Sequence, residues 1–195
     1  MKNKKLVKMV LCAVFIALIA VMTFVPNVGY LSVGVIEITT IQIVAAIGGM
    51  ILGATYSAVL GGAWGVLCLI RATTNPAWVM FINPAISVLP RILAILGSYG
   101  VFVLLRKTKC PLTVRSGLAG ATASLLNTVF VLTAMQIFGE HTNLYADSWT
   151  LIKTILSTII GVNGVVELVA SAIIVPAIYV NIIKPLKKYI GTDGK

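Results

Sequence analysis

RATTNPAWVMFINPAISVLPR, residues Arg71 to Arg91, holds two arginines, three prolines, two asparagines, two threonines and a tryptophan. On either side the chain is oily: residues 60–70 and 92–105 contain no Asp, Glu, Lys or Arg. A charge held inside hydrocarbon costs at least ~2.5–3.5 kcal/mol on insertion scales, so it persists only where a partner, water or ligand compensates it. The stretch is therefore expected to form one wall of a small-molecule pocket near the outer face of a membrane protein.

Composition agrees with that setting. Of 195 residues 59% are apolar and only 10% charged, and the mean hydropathy is +1.05, whereas a soluble domain carries about 25% charged residues. Five or six spans of about 20 residues would use most of the chain. The expectation is one all-α integral membrane domain over residues 1–195. Lys2, Lys4, Lys5 and Lys8 precede a full-length apolar run without a small-residue cleavage site, so the first span is expected to stay rather than be removed as a signal.

A net charge of +10 raises the question of nucleic acid, and its distribution argues against it. All of the 15 basic residues except Arg71, Arg91 and Lys153 fall into three clusters. These are Lys2/Lys4/Lys5/Lys8, Arg106/Lys107/Lys109/Arg115 and Lys184/Lys187/Lys188/Lys195, each at the end of an apolar run. That is the positive-inside pattern. Cys12, Cys68 and Cys110 are scattered and odd in number, which gives neither a disulfide framework nor a metal-ligand spacing.

The predicted spans are Leu6–Val25, Ile38–Ala54, Tyr56–Ile70, Pro84–Leu105, Val114–Phe138 and Gly161–Ile183. The second and third are short and hinged near Gly53–Thr55, with a single fused helix as the alternative. Charge decides for six: five spans would put Arg106–Arg115 opposite the N-terminal lysines, while six put every basic cluster, and both termini, on the cytoplasmic side. PNVGYLSVGVIE (residues 26–37) reads as a short hairpin or a re-entrant flap. GEHTNLYADSWTLIKTILSTII (residues 139–160) reads as a surface-lying or continuous helix. Small residues recur at helical spacing at Ala13/Ala17 with Ala20 beside them, at Ala45/Gly49/Gly53 and at Ala54/Ala58/Gly62. Such rows let helix backbones approach in lipid, and the row in the first helix is the best candidate for a partner-facing surface.

No HExxH, GxSxG, CxxC or GxxxxGK[ST] pattern is present. The lone His141 cannot build a metal site by itself. No catalytic residues, metal or cofactor are therefore assigned, and any ATP-driven step must belong to other subunits. What remains are polar residues at membrane depth. Arg91 lies ~20 Å from the basic end of its helix at about 1.5 Å per residue. Asn127 and Gln136 lie on the fifth span, Asn163 and Glu167 share a face of the sixth, and Gln42 lies near the outer end of the second. Arg71, Asn75 and Asn83 flank the outer loop, and Tyr30 is a candidate lid residue. Together they suggest a cavity open to the outside and closed inward. Arg91 and Glu167 either pair as a structural bridge or contact ligand. Asn127 bonds either ligand or a helix backbone, Arg71 and Lys153 either snorkel to outer headgroups or serve the pocket, and Trp78, Tyr145 and Trp149 are either belt aromatics or pocket walls.

The order of these features resembles the substrate-binding S-components of energy-coupling factor (ECF) vitamin transporters, over essentially the whole chain. The carriers are Ala13-x-x-x-Ala17, the segment Asn27–Val66, PRILA at Pro90–Ala94, LLNTVFVL around Asn127 and VNGVVE at Val162–Glu167. The resemblance implies a bacterial cell-membrane protein whose Ala13/Ala17 face docks on a transmembrane coupling subunit, which binds two cytoplasmic ATPases. It also implies a vitamin held near the outer surface, under the loop between the first two helices and against helices four to six. Within the family the chain looks most similar to pantothenate-type members. Arg71 and Arg91 suit a carboxylate, and Asn75, Asn127 and Asn163 suit amide and hydroxyl groups. Folate and cobalamin are alternatives with the same inventory. An integral membrane enzyme and a stand-alone carrier are the rival classes.

Overall fold

The computed structural model describes residues 4–33, 36–74, 76–138 and 149–190. Helix α1, Lys4–Phe24, is apolar almost all round. Only Cys12, Ile19 and Thr23 are buried, while Leu6, Val10, Val14, Leu18 and Val21 face outward. A helix of this kind is stable with its outer face in lipid. Beyond Pro26 and Asn27, whose φ is 57°, the chain enters a β-hairpin. Strand β1, Tyr30–Val33, pairs antiparallel with β2, Ile36–Thr39, in the register Tyr30↔Thr39, Leu31↔Ile38, Ser32↔Glu37 and Val33↔Ile36. The hairpin alternative for this loop therefore holds. Its base is tied by the Thr40 N–H to the Gly29 carbonyl (2.9 Å) and by the Thr40 hydroxyl to the Val28 carbonyl (3.0 Å).

Helix α2 is Ile41–Leu52, and all of its residues but Val44 are buried. It ends at Gly53, whose φ of 107° lies in a region that side-chain-bearing residues rarely enter. Helix α3, Ala54–Ala72, then runs back along α2. A Cβ on Gly49 would lie 2.6 Å from the Ser57 hydroxyl, and Gly48 abuts Leu60. The pair is thus a helical hairpin pivoting at Gly53, which excludes the fused-helix alternative. It also shortens the second predicted span. Ile38 and Thr39 belong to β2 and Gly53 breaks the other end, leaving 12 residues, about 18 Å at 1.5 Å per residue against a ~30 Å hydrocarbon core. Among the described residues, five helical stretches are long and apolar enough to cross a membrane: Lys4–Phe24, Ala54–Ala72, Pro84–Arg106, Leu112–Phe138 and Val162–Ile183.

The polar stretch after α3 becomes a tight 3-10 segment, Pro76–Ile82, and a four-residue helix α4, Pro84–Ser87. Asn83 caps α4 by accepting the Ala85 N–H at 2.9 Å. The Ser87 hydroxyl donates to the Phe81 carbonyl, folding the segment onto itself. Helix α5, Leu89–Arg106, starts with Pro90 in its first turn, where the missing N–H has no helical partner to lose. Helix α6 is Leu112–Phe138 and α7 is Trp149–Ile190, with Pro176 and Pro185 inside it. The continuous-helix reading of the α7 approach therefore holds from Trp149 onward. The segment 139–148 lies outside the described residues.

Two apolar cores result. The larger joins α1, α2, α3, α5, α6 and α7 through residues such as Ile19, Ile47, Leu60, Trp64, Ile95, Ala119 and Val175. The smaller lies where the 3-10 segment and α4 meet α3 and α6, through Cys68, Ala72, Met80, Phe81, Ile86, Val131 and Met135. At the end bearing the basic residues, the Arg115 guanidinium lies 4.4 Å over the Phe102 ring, and Phe102 meets Tyr179 edge-on at 5.3 Å. The decisive approach is between α3 and α5. A Cβ on Gly61 would lie 2.6 Å from the Arg91 carbonyl and 2.8 Å from Ile92 Cα, and one on Gly65 would lie 2.5 Å from Val88 Cα. This G-x-x-x-G pair lets the backbones touch and fixes the height at which Arg91 enters the bundle.

Gly61→Ala should therefore lower the thermal midpoint of the detergent-solubilised protein, with an overpacking cost of about 1–3 kcal/mol. Gly100→Ala is the control, because nothing lies within 4 Å of a Cβ there. Equal midpoints for the two variants would contradict the close α3–α5 contact.

Candidate functional site

The seam between the two cores holds Arg91, third residue of α5 and 6% exposed. Its Nη1 donates to the Ile86 carbonyl at 2.6 Å and its Nη2 approaches Cys68 Sγ at 3.8 Å. The guanidinium carbon lies 5.2 Å from the Phe81 ring centroid and 5.6 Å from that of Trp64, within the ~6 Å at which a cation is attracted by an aromatic face. Among the described residues no carboxylate pairs with it. The Nε–H of Arg91 and the indole N–H of Trp64 are both buried without a hydrogen-bond partner.

Tyr30, at the start of β1, reaches down into the same place. Its hydroxyl lies beside Trp64, Cys68 and Arg91 but makes no hydrogen bond of ordinary length. Burial, reinforced by Cys68 and opposed by the Arg91 charge, pushes this phenol above its usual pKa. The Arg71 guanidinium, near the end of α3, lies 4.0 Å from the centroid of the Tyr30 ring and 5.8 Å from that of Trp78. Trp78 in turn meets Phe81 at 5.9 Å. Two cations and four aromatic rings thus form one continuous stack from the hairpin to the base of α5.

The second polar group is built on α7. The Glu167 carboxylate accepts the Thr39 backbone N–H at 2.6 Å and the Gln42 side-chain amide at 3.1 Å, and the Gln42 amide also lies 3.5 Å from the Ser171 hydroxyl. Gln42 is fully buried and its Oε1 has no partner. On α6, Asn127 is buried with an unpartnered Oδ1. Asn163 is buried on α7, beside Gly164, which packs directly on Thr128 of α6. Asn127 and Asn163 therefore flank the same α6–α7 crossing.

The structure thus brings Arg91, Arg71, Tyr30 and Trp78 into one stack, and places Gln42 and Glu167 in direct contact. The Arg91–Glu167 bridge weighed from the sequence is not formed among the described residues. Glu167 is instead engaged by the end of the hairpin. Gln136 is exposed, and Asn83 serves as a helix cap. Asn75, His141 and Tyr145 lie outside the described residues, as do the side chains of Trp149 and Lys153. The sequence expectation missed Trp64 and Cys68. Both sit in apolar runs, and their polar atoms matter only because Arg91 arrives next to them. Arg91, Gln42, Asn127, Asn163 and Glu167, which the sequence placed around an outward-open cavity, are all buried. Ala13 and Ala17 are exposed on the outer face of α1.

A family model described as "ECF transporter, substrate-specific component" matches residues 7–179. The chain belongs to this family. It is 32% identical to the "Pantothenate transporter PanT" of Leuconostoc mesenteroides, over all of both chains. It is 29% identical to the "Pantothenic acid transporter PanT" of Lactococcus lactis, over 91% of this chain and 94% of that one. As an ECF substrate-specific component with five membrane-length apolar helices, it is a multi-pass protein of the bacterial plasma membrane. The family consists of transporter components that bind a small-molecule substrate and act with ECF partners. In such a component, buried donors and acceptors without protein partners are the natural place to look for substrate, because leaving each unpaired costs about 1–3 kcal/mol.

Removing the Gln42 amide should expose how much the buried carboxylate depends on it. Gln42→Leu is expected to destabilise the solubilised protein by about 1.5–3 kcal/mol, the scale of a hydrogen bond to a charged group. A thermal unfolding midpoint equal to that of the wild type would contradict that dependence.

Proposed function

We propose that this chain captures pantothenate at the outer face of the membrane and delivers it to an ECF coupling module for ATP-driven uptake. The observation that carries the proposal is Arg91, a buried guanidinium with no acid against it and its Nε–H unsatisfied. Pantothenate offers a carboxylate for that cation, and amide and hydroxyl groups for the buried Gln42 Oε1 and Asn127 Oδ1 acceptors. Asn163 lies at the same α6–α7 crossing as Asn127 and extends this polar wall. Arg71, Tyr30 and Trp78 form the outer side of the site, with Asn75 assigned there from its place in the sequence. The full-length similarity to two pantothenate transporters supports this choice over folate and cobalamin.

The remainder of the proposal concerns topology and partners. Six helical rods, α1, α2, α3, α5, α6 and α7, would each traverse the bundle, α2 doing so as a short buried rod. The basic clusters would lie in the cytoplasm together with both termini. The exposed Ala13/Ala17 face of α1 would dock on the transmembrane coupling subunit, and ATP would be used by two cytoplasmic ATPase subunits. The chain itself would have no catalytic residues, cofactor or metal. The exposed row of Ala13, Ala17 and their apolar neighbours supports the docking assignment, because small residues permit the closest helix approach available in lipid.

Calorimetry on the purified chain tests the ligand. Pantothenate is expected to bind, and Arg91→Ala to weaken it about 100-fold, the scale of a lost charge-assisted contact. Binding of folate or cobalamin but not pantothenate would reject the assignment. Uptake into liposomes tests the class. Transport is expected only with the coupling module and ATP, and Ala13→Trp should abolish it while binding persists. Uptake by the chain alone would favour a stand-alone carrier.

A further inference from the structure

The two fastenings of the β-hairpin to the helices sit on a single rung. Tyr30 and Thr39 are cross-strand partners, the last pair at the hairpin's base. The Tyr30 ring carries the Arg71 guanidinium at 4.0 Å, and its hydroxyl lies beside Arg91, Trp64 and Cys68. The Thr39 N–H is bonded at 2.6 Å to Glu167 Oε1, on a helix 128 residues further along the chain. Glu167 is 5% exposed, and its second oxygen accepts from Gln42 in the first turn of α2. Its carboxylate therefore joins three elements: the end of β2, the start of α2 and the middle of α7.

We infer that Glu167 is a positioning residue: its carboxylate anchors the Tyr30–Thr39 rung and thereby holds Tyr30 over the Arg91 site, without touching the ligand. The inference rests on the reading of the Arg91 group as the substrate site. Three features support it. The carboxylate's two oxygens are both engaged by protein donors, which leaves it poorly placed to receive a ligand donor as well. Its strongest contact is to a backbone N–H, so it constrains the path of the hairpin rather than one side chain. A ligand-facing Glu167 would repel a like-charged vitamin carboxylate, whereas here its oxygens are turned to the Thr39 and Gln42 donors. Gln42 is arranged to complement it. Its Nε2 faces the carboxylate while its Oε1 has no protein partner, so one amide links the anchor to the proposed polar wall of the site.

The consequence is kinetic. Loss of the anchor should free the rung and let bound pantothenate escape faster, with little effect on its arrival. Glu167→Ala is expected to speed pantothenate release about tenfold, the scale of one charge-assisted hydrogen bond, with an unchanged association rate. Hydrogen exchange in peptides covering Thr39 should quicken in the ligand-free protein. Glu167→Gln should recover most of both effects. The carboxamide oxygen still accepts the Thr39 N–H, and the Gln42 amide can turn its Oε1 toward the new NH2. If Glu167→Gln instead loses affinity as severely as Glu167→Ala, with hydrogen exchange at Thr39 unaltered, Glu167 contacts the ligand and the inference is overturned. If wild-type protein fails to bind pantothenate, the functional reading fails, and hydrogen exchange alone decides the anchor: faster at Thr39 in Glu167→Ala supports it, unchanged overturns it.

Discussion

The structure is organised around a buried positive charge that forms no ion pair among the described residues. Burying Arg91 among apolar helices costs at least ~2.5–3.5 kcal/mol, and no ion pair offsets it among the described residues. The compensation comes from the Ile86 carbonyl, at about 1.5–3 kcal/mol for a charged hydrogen bond, and from the faces of Phe81 and Trp64. Those contributions are enough to keep the guanidinium in place while leaving its charge unneutralised. An adjacent carboxylate would have stabilised the cation just as well, but it would also have cancelled its attraction for an anionic substrate. On the proposed reading, the site is primed for an anion because the close contacts to its guanidinium are dipoles and π-faces.

Holding the cation at the seam demands close control of the backbone. Gly61 and Gly65 bring α3 into contact with the start of α5, so the Arg91 side chain projects past Trp64 and Cys68. The Asn83 cap and the Ser87–Phe81 bond fold the 3-10 segment so that the Ile86 carbonyl and the Phe81 ring face the guanidinium. Above this floor, Tyr30 descends from the hairpin, and the Arg71 stack ties the hairpin to α3. Thr39, across the rung, ties it to α7 through Glu167. Helices far apart in sequence are in this way joined to one short piece of β-structure, around a buried, cationic, aromatic-walled group.

Much of this was legible in the sequence. Apolar runs located α1, α3 and α6 to within a few residues, because a lipid-facing helix must be apolar throughout, whereas α5 starts five residues into its expected span and α7 extends beyond Gly161–Ile183 at both ends. Arg71, Arg91, Gln42 and Glu167 stood out because a polar residue in such a run needs a compensating partner. Other features were hidden for definite reasons. In VGVIEITTIQIVAA the same β-branched residues suit strand and buried helix alike, so the hairpin's intrusion into the second span left no periodic signature. Rows of small residues occur on several helices, and nothing in spacing distinguishes Gly61/Gly65, pressed on α5, from Ala54/Ala58/Gly62, whose first member is exposed. Trp64 looks like ordinary apolar filling until a guanidinium lies against it. The shorter of the two contacts to Glu167 comes from a backbone N–H, which any residue at position 39 other than proline would supply.

The central claim is that the Arg91 group exists to hold the carboxylate of a small anionic nutrient. Mass spectrometry of the small molecule that co-purifies with the solubilised chain, compared between wild type and Arg91→Ala, tests it most directly. Pantothenate released from the wild type, and absent from a folded Arg91→Ala protein, is the predicted result. A neutral or cationic compound, carried equally by both proteins, would contradict it.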